Sequence, residues 1–256
     1  MNDYAAISLI FVAGTFWGSF FYTLALRYAG GEMKEAPLKA LFSRSRCPSC
    51  KNVIGPLFLV PVAGYLARRG RCASCGARIS PLYPVTELMY GALAALFAWK
   101  LGASVSTFSL YLLAAVALSI SIVDCMSFTI PDSMVAAFAI LSIYPVILNY
   151  TIWDNIFGLL ALFAVFIVIL LVFPGSFGGG DLKYASAIGF LSGLELSLVV
   201  LEISLISGAL FGVTYALTTK KSLRAKIPFA PFLSLGLIVS LLFGRELLLV
   251  YYRVLF

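Results

Sequence analysis

Histidine is absent from this 256-residue chain, and only 11% of its residues carry charge. The first absence removes Ser-His-Asp hydrolysis, a His-activated thiol and His-ligated metal catalysis, because each needs an imidazole as base or ligand. The second removes a soluble globular domain, in which about a quarter of residues are charged. Acidic residues are fewer than basic ones, 11 against 18. The catalytic chemistry that remains is that of carboxylates.

What is present is apolar: 62% of the residues are hydrophobic and the mean hydropathy is +1.03. The expected fold class is an all-α polytopic membrane protein of about eight transmembrane helices with a small cytoplasmic zinc-ribbon-like module. A crossing needs about 20 apolar residues, and suitable segments read at about 5–27, 85–100, 105–123, 132–149, 152–173, 182–195, 197–217 and 229–252. The first lacks a basic leading region and a small-residue cleavage site, and is read as a retained helix.

The net charge of +7 is concentrated rather than spread. Lys34, Lys39, Arg44, Arg46, Lys51, Arg68, Arg69, Arg71 and Arg78 face only Glu32 and Glu35 between residues 28 and 84. A second cluster, Lys220, Lys221, Arg224 and Lys226, precedes the last segment. By the positive-inside rule both basic loops are cytoplasmic. The partner this charge implies is the lipid bilayer and its anionic head groups, not nucleic acid. By parity, the turns holding Asp124 and Asp181 fall on the same side as the basic loops.

Four of the five cysteines form Cys47-x-x-Cys50 and Cys72-x-x-Cys75, 21 residues apart. Paired knuckles of this kind supply four sulfurs to a tetrahedral structural zinc, with no open position for catalysis. Disulfides, an iron-sulfur centre or a redox dithiol are the competing uses; a reducing cytoplasm disfavours the first. Cys125 is left over and, without a histidine, is read as a small packing thiol.

Asp124 and Asp181 end or begin apolar segments, where a carboxylate is costly unless it works or is paired. Both are assigned to catalysis. Asp181 follows Gly178, Gly179 and Gly180, which let a main chain approach closely. A phosphate loop is the rival, weakened by the acid and by the lack of a Gly-Lys-Ser/Thr; a hinge with a capping Asp is the bland reading. Asp132, after Pro131, suits a helix start. Glu87 either lines the site or caps its helix. Lys183 is a topology or snorkelling residue, or touches substrate. Asp3, Asp154 and Glu195 are read as solvated or capping, and Glu202 has no assigned role.

In sequence order these motifs resemble the type IV prepilin peptidases, membrane aspartic proteases of the GxGD type. The resemblance rests on Ser45-Arg46-Cys47-Pro48-Ser49-Cys50, Arg69-Gly70-Arg71-Cys72-Ala73-Ser74-Cys75, Tyr83-Pro84 with Glu87, Ile122-Val123-Asp124 through Ile130-Pro131-Asp132, Gly178-Gly179-Gly180-Asp181-Leu182-Lys183 through Ala187-Ile188-Gly189, and Ile227-Pro228-Phe229-Ala230-Pro231-Phe232. It implies cleavage of a basic leader from membrane-inserted prepilins or pseudopilins at a Gly-X bond, in a bacterial cytoplasmic (inner) membrane. It also implies N-methylation of the new amine with S-adenosylmethionine. Asp124 and Asp181 become the catalytic pair and Cys47, Cys50, Cys72 and Cys75 the zinc ligands. Gly178, Gly179, Gly180, Lys183, Glu87 and Asp132 become substrate-binding or supporting residues. The chain divides accordingly into a first helix (1–27), a four-cysteine module (28–84) and a transmembrane protease core (85–256). It departs from the family at Phe21-Tyr22-Thr23, usually Leu-Asn-Val, at Leu82, usually Arg, and near Pro61, where an Asn is missing. These departures bear on methyl transfer more than on proteolysis. The rival functions are a cation- or proton-coupled transporter using the same aspartates and a non-enzymatic zinc-ribbon scaffold.

Overall fold

The computed structural model describes residues 3–149, 152–173, 175, 177–219 and 226–255. The elements are α1 (Asp3–Ala29), α2 (Glu32–Glu35), α3 (Pro37–Phe42), a 3-10 turn (Pro56–Leu59), α4 (Ala63–Ala67), α5 (Leu82–Leu101), α6 (Val105–Ser127), α7 (Asp132–Asn149), α8 (Ile152–Val172), α9 (Gly179–Thr219) and α10 (Ala230–Leu255). No strand occurs among the described residues, only two isolated antiparallel bridges. Six helices, α1, α5, α6, α8, α9 and α10, are long and apolar enough to cross a bilayer, and α7 is a shorter apolar helix. Lys220, Lys221 and Arg224 of the second basic cluster lie outside the described residues.

Two of the segments expected from sequence, 182–195 and 197–217, are two helices that meet at a sharp break at Gly193 (φ 74°, ψ 178°); they are numbered together as α9. This positive φ is open to glycine and strained for other residues. Asp154, near the start of α8, accepts the Leu194 N–H at 3.1 Å and so caps the second half of α9. The neighbouring Asn155 donates to Phe190 O at 2.7 Å, satisfying a carbonyl that the break exposes. The capping role expected of Asp154 is therefore specific: it caps a helix 40 residues away rather than its own.

The chain forms two compact units, Met1–Tyr111 and Leu112–Phe256. In the first, α1 and α5 approach closely because both carry small residues where they cross. A Cβ on Gly14 would sit 2.7 Å from Ala94 Cβ, and one on Gly18 2.8 Å from Tyr90 Cβ, so the Gly-x-x-x-Gly spacing seats α5 against bare backbone. At the end of α1, Arg27 donates to Ala40 O (2.6 Å), Leu41 O (3.2 Å) and Ser43 O (2.8 Å). Its guanidinium thus satisfies carbonyls left open at the C-terminus of α3.

In the second unit α8 and α9 make the tightest pairing, with Gly158 and Gly189 backbone to backbone. α10 and α7 also pack on α9. Prolines set helix starts here: Pro131 precedes α7, while Pro228 and Pro231 flank Ala230 at the start of α10.

Candidate active site

Asp124 lies in the last turn of α6 and is 5% exposed. Its Oδ2 accepts the backbone N–H of Ala230, first residue of α10, at 3.1 Å. That N–H has no partner within its own helix, and a helix N-terminus favours an anion beside it. Asp181 occupies the third position of α9, and its Oδ2 accepts the Gly178 N–H at 2.8 Å, the reciprocal half of a capping box. The two carboxylates lie within Coulombic range of each other. The end of α6 and the start of α9 lie near one another, through Gly180 against Ile130 and through the rings of Phe177 and Phe229.

Gly180 makes this approach sterically feasible. A Cβ there would stand 2.9 Å from Ile130 Cβ, in the turn between α6 and α7, whereas one on Gly179 would meet nothing within 4 Å. None of Gly178, Gly179 and Gly180 has positive φ. Phe177 and Phe229, each preceding a residue that donates to an aspartate, cluster at tilted angles with Phe166 of α8: Phe177–Phe229 centroids are 4.6 Å apart and Phe166–Phe177 5.3 Å. These rings tie the Gly178 turn to the entry of α10.

Lys183 and Asp132 form an ion pair, Nζ to Oδ1 at 2.8 Å, across the starts of α9 and α7. Both are exposed, so Asp132 combines its first-turn position with a cross-helix partner that its sequence neighbourhood did not indicate. Cys125 is exposed beside Asp124, which corrects the packing role expected of it. Glu202, unexplained by sequence, accepts a hydrogen bond from Tyr251, and Glu195 one from Tyr252 at 2.9 Å. Sequence reasoning also missed Ala230, because a backbone donor leaves no side-chain signature. The flanking Pro228 and Pro231 were the available signal of a helix start.

In the first unit the four paired cysteines form two knuckles of one design. Cys47 N donates to Asn52 O and Cys72 N to Ala77 O, each at 2.9 Å; Lys51 N and Gly76 N return to Cys47 O and Cys72 O at 2.9 and 3.0 Å. Lys51 (φ 60°) and Gly76 (φ 71°) hold the same left-handed position after each second cysteine. All four Sγ atoms fall within 4.8 Å of one another, with Cys47–Cys75 and Cys50–Cys72 at 3.9 Å. A tetrahedron with Zn–S of about 2.3 Å has S···S edges of about 3.8 Å, so the donor set fits zinc. A disulfide would need about 2.05 Å, and all four thiols are free. The Cys75 and Ser74 N–H groups pull the Cys72 thiol down to about 6 and those of Cys50 and Ser49 lower Cys47, whereas Cys75, despite the Ala77 N–H beside it, is pushed up to about 11 by the neighbouring thiols.

Glu87 of α5 is 6% exposed and accepts the Val62 N–H at 2.7 Å, holding Val62 at φ 60°. It lines a cavity of about 760 Å³ beside the cysteine module, together with Ser19, Thr23, Arg27, Phe58 and Tyr83. Tyr22, where the resemblance expects Asn, packs edge-on against Tyr83 with centroids 5.0 Å apart.

Comparison with known proteins gives a consistent answer over both units. The profile of the bacterial peptidase A24 N-terminal domain matches residues 12–101, and that of the type IV leader peptidase family matches residues 111–213. A prepilin leader peptidase/N-methyltransferase of Bacillus subtilis (strain 168) is 30% identical over 249 residues, covering 96% of this chain and 98% of its own. Proteins of the same name from Stutzerimonas stutzeri and Pseudomonas putida are 30% and 32% identical, covering 84% and 79% of this chain and 78% and 73% of theirs. No solved structure gives a significant match. With two profiles in tandem and a relative matched nearly end to end, the chain belongs to the type IV leader peptidase family.

Proposed function

We propose that this membrane peptidase cleaves the basic leader from membrane-inserted prepilins or pseudopilins, with Asp124 and Asp181 as its two catalytic carboxylates. The observation that supports the reading is that each carboxylate accepts one backbone N–H, Asp124 from Ala230 and Asp181 from Gly178, and that the rings of Phe229 and Phe177 preceding those two donors are in contact. Two neighbouring carboxylates titrate as a unit, one ionised and one protonated. The ionised one takes a proton from water as the oxygen attacks the scissile carbonyl carbon, and the protonated one delivers its proton to the carbonyl oxygen. Collapse of the resulting gem-diol breaks the C–N bond. The acquired proton passes to the leaving nitrogen, and a diol proton restores the other acid.

Connectivity supports a cytoplasmic site. If α1 and α5–α8 each cross the membrane, the basic cysteine module, the end of α6 and the start of α9 share one side, the side that Lys and Arg favour. The four thiolates hold a structural zinc. The supporting residues are Gly178, Gly179, Gly180, Asp132 and Lys183 around the pair, with Glu87 in the first unit. Methylation of the new N-terminus rests on the names of the relatives. S-adenosylmethionine supplies an electrophilic methyl group, and the cavity at Glu87 falls in the size range of ligand pockets, about 300–1,000 Å³. There the Glu87 carboxylate would hold the donor's cationic groups, and Phe58 and Tyr83 would offer faces to its ring.

Purified protein incubated with a prepilin peptide, with and without S-adenosylmethionine, tests both activities by product mass. Leader loss must vanish in Asp124→Asn and Asp181→Asn proteins that insert normally. Cleavage by either variant at the wild-type rate refutes the carboxylate mechanism, and leader loss without added methyl mass leaves a peptidase alone.

A further inference from the structure

One turn beneath the two aspartates, three helices share buried hydroxyls. Ser121 stands three residues before Asp124 on α6, Tyr184 three after Asp181 on α9, and Ser234 four after Ala230 on α10. At these spacings each hydroxyl shares a helix face with one of the groups that build the pair. The three residues are 7%, 0% and 1% exposed. Ser234 Oγ is the hub: it donates to Ala117 O (2.9 Å) and lies 2.7 Å from Ser121 Oγ and 2.8 Å from Tyr184 OH. A serine hydroxyl has one proton and two lone pairs. With its proton on Ala117 O, Ser234 can accept from both Ser121 and Tyr184, which fills its capacity. Ser121 Oγ also lies 2.9 Å from Ala117 O and 3.3 Å from Ala230 O, and its single proton serves one of these three acceptors at a time, the 2.7 Å contact to Ser234 being the shortest.

We propose that Tyr184, Ser234 and Ser121 are positioning residues for peptide hydrolysis, fixing the register of α6, α9 and α10 so that both carboxylates meet one water. Leu, Ala or Phe would fill these sites without polar atoms, but apolar contact tolerates small slides between helices. A buried hydroxyl does not, because it is satisfied in few arrangements and is expensive when unsatisfied. A displacement of about 1 Å at a reacting centre costs up to about 100-fold in rate, so holding register serves catalysis directly. The inference rests on the two-carboxylate reading.

The test is steady-state cleavage of a prepilin peptide by Tyr184→Phe, Ser234→Ala and the double variant. Ser142→Ala serves as control, since Ser142 is equally buried but bonded only within its own helix, to Phe138 O at 2.8 Å. Tyr184→Phe keeps the ring that packs edge-on against Phe138. The expected result is a kcat lowered about tenfold in each single variant, with KM within about twofold of wild type and the double variant little worse than either. The bell-shaped pH profile of kcat should change width in both, because coupling between two carboxylates depends on their separation. Loss of folded protein scales kcat without altering that shape. Wild-type kcat, a reduced kcat with an unchanged bell, or an equal effect in Ser142→Ala overturns the proposal. If Asp124→Asn and Asp181→Asn cleave normally, the carboxylate mechanism and the network fall together; if those are dead and the network variants are normal, only the network falls.

Discussion

The cysteine centre of the first unit and the carboxylate pair of the second are assembled in opposite ways. Each cysteine knuckle is local: two thiols three residues apart, a left-handed residue after the second, and backbone bonds closing the turn. The aspartate pair has no local unit, since it needs the end of α6, the start of α9 and a backbone N–H of α10. In a module built from short turns, metal binding supplies folding free energy that a small core cannot. In the helical unit, close-packed helices and buried rings supply it, and each carboxylate adds only one helix-end hydrogen bond. Removing a ligand should therefore undo structure in one unit and chemistry in the other.

The largest expected effect breaks that comparison if it fails. Asp181→Asn should lower cleavage by on the order of 10²–10⁴-fold or more while leaving the thermal unfolding midpoint near wild type. Cys50→Ser should reduce bound zinc from one equivalent towards zero and expose residues 43–81 to protease. The measurements are product mass, metal analysis and mapping of cut sites. An Asp181→Asn protein that unfolds, or a Cys50→Ser protein that keeps its zinc, would erase the distinction.

Metal removal sharpens the same contrast without a mutation. Zinc in small four-ligand modules contributes about 10–16 kcal/mol of apparent binding free energy at neutral pH, which is folding free energy where no site is preformed. A strong chelator should open the Ser43–Pro81 stretch to protease while cuts within Leu112–Phe256 stay at the untreated level. Equal digestion of both units would show that the second depends on the metal.

How much of this was legible in sequence follows from the same difference. The cysteine spacing announced a four-sulfur site because the ligands lie in repeated short motifs. The aspartates stood out as charges beside apolar runs, and the apolar runs located the helices. The break in α9 was legible to within a few residues, as the boundary between the segments at 182–195 and 197–217, but its place at Gly193 and its cap by Asp154 of another helix were not. Nor was the role of Ala230, or that of Ser121 and Ser234, because serines in an apolar run resemble ordinary helix residues bonded to their own preceding turn. Those roles depend on register between helices, which periodicity within one helix does not encode.

The glycine run offers a smaller and more discriminating effect. Gly180→Ala places a Cβ against Ile130 and should destabilise the second unit by about 1–3 kcal/mol, the usual cost of overpacking. Gly179→Ala meets open space and should leave unfolding unchanged. Should Gly179→Ala nonetheless raise KM in the cleavage assay, that glycine serves approach of the substrate backbone rather than packing. A Gly180→Ala protein as stable as wild type would show that the α6–α7 turn yields easily and does not fix the approach of α9.

The smallest effect concerns the Lys183–Asp132 pair. Exposed ion pairs contribute about 0–1 kcal/mol, and both side chains are mostly exposed, so Lys183→Met and Asp132→Asn should each shift stability by about 0.5 kcal/mol or less. Their kinetic signatures separate two roles for the lysine. If the pair only ties the start of α7 to the start of α9, both single variants and the double variant should show the same slight change, because each deletes the same interaction. If the ammonium group also touches substrate, Lys183→Met should raise KM while Asp132→Asn, which frees the lysine, should not. The expected contrast with the aspartates is then quantitative: two residues along α9 separate a side chain whose loss should end the reaction from one whose loss should be measurable only by comparison with its partner.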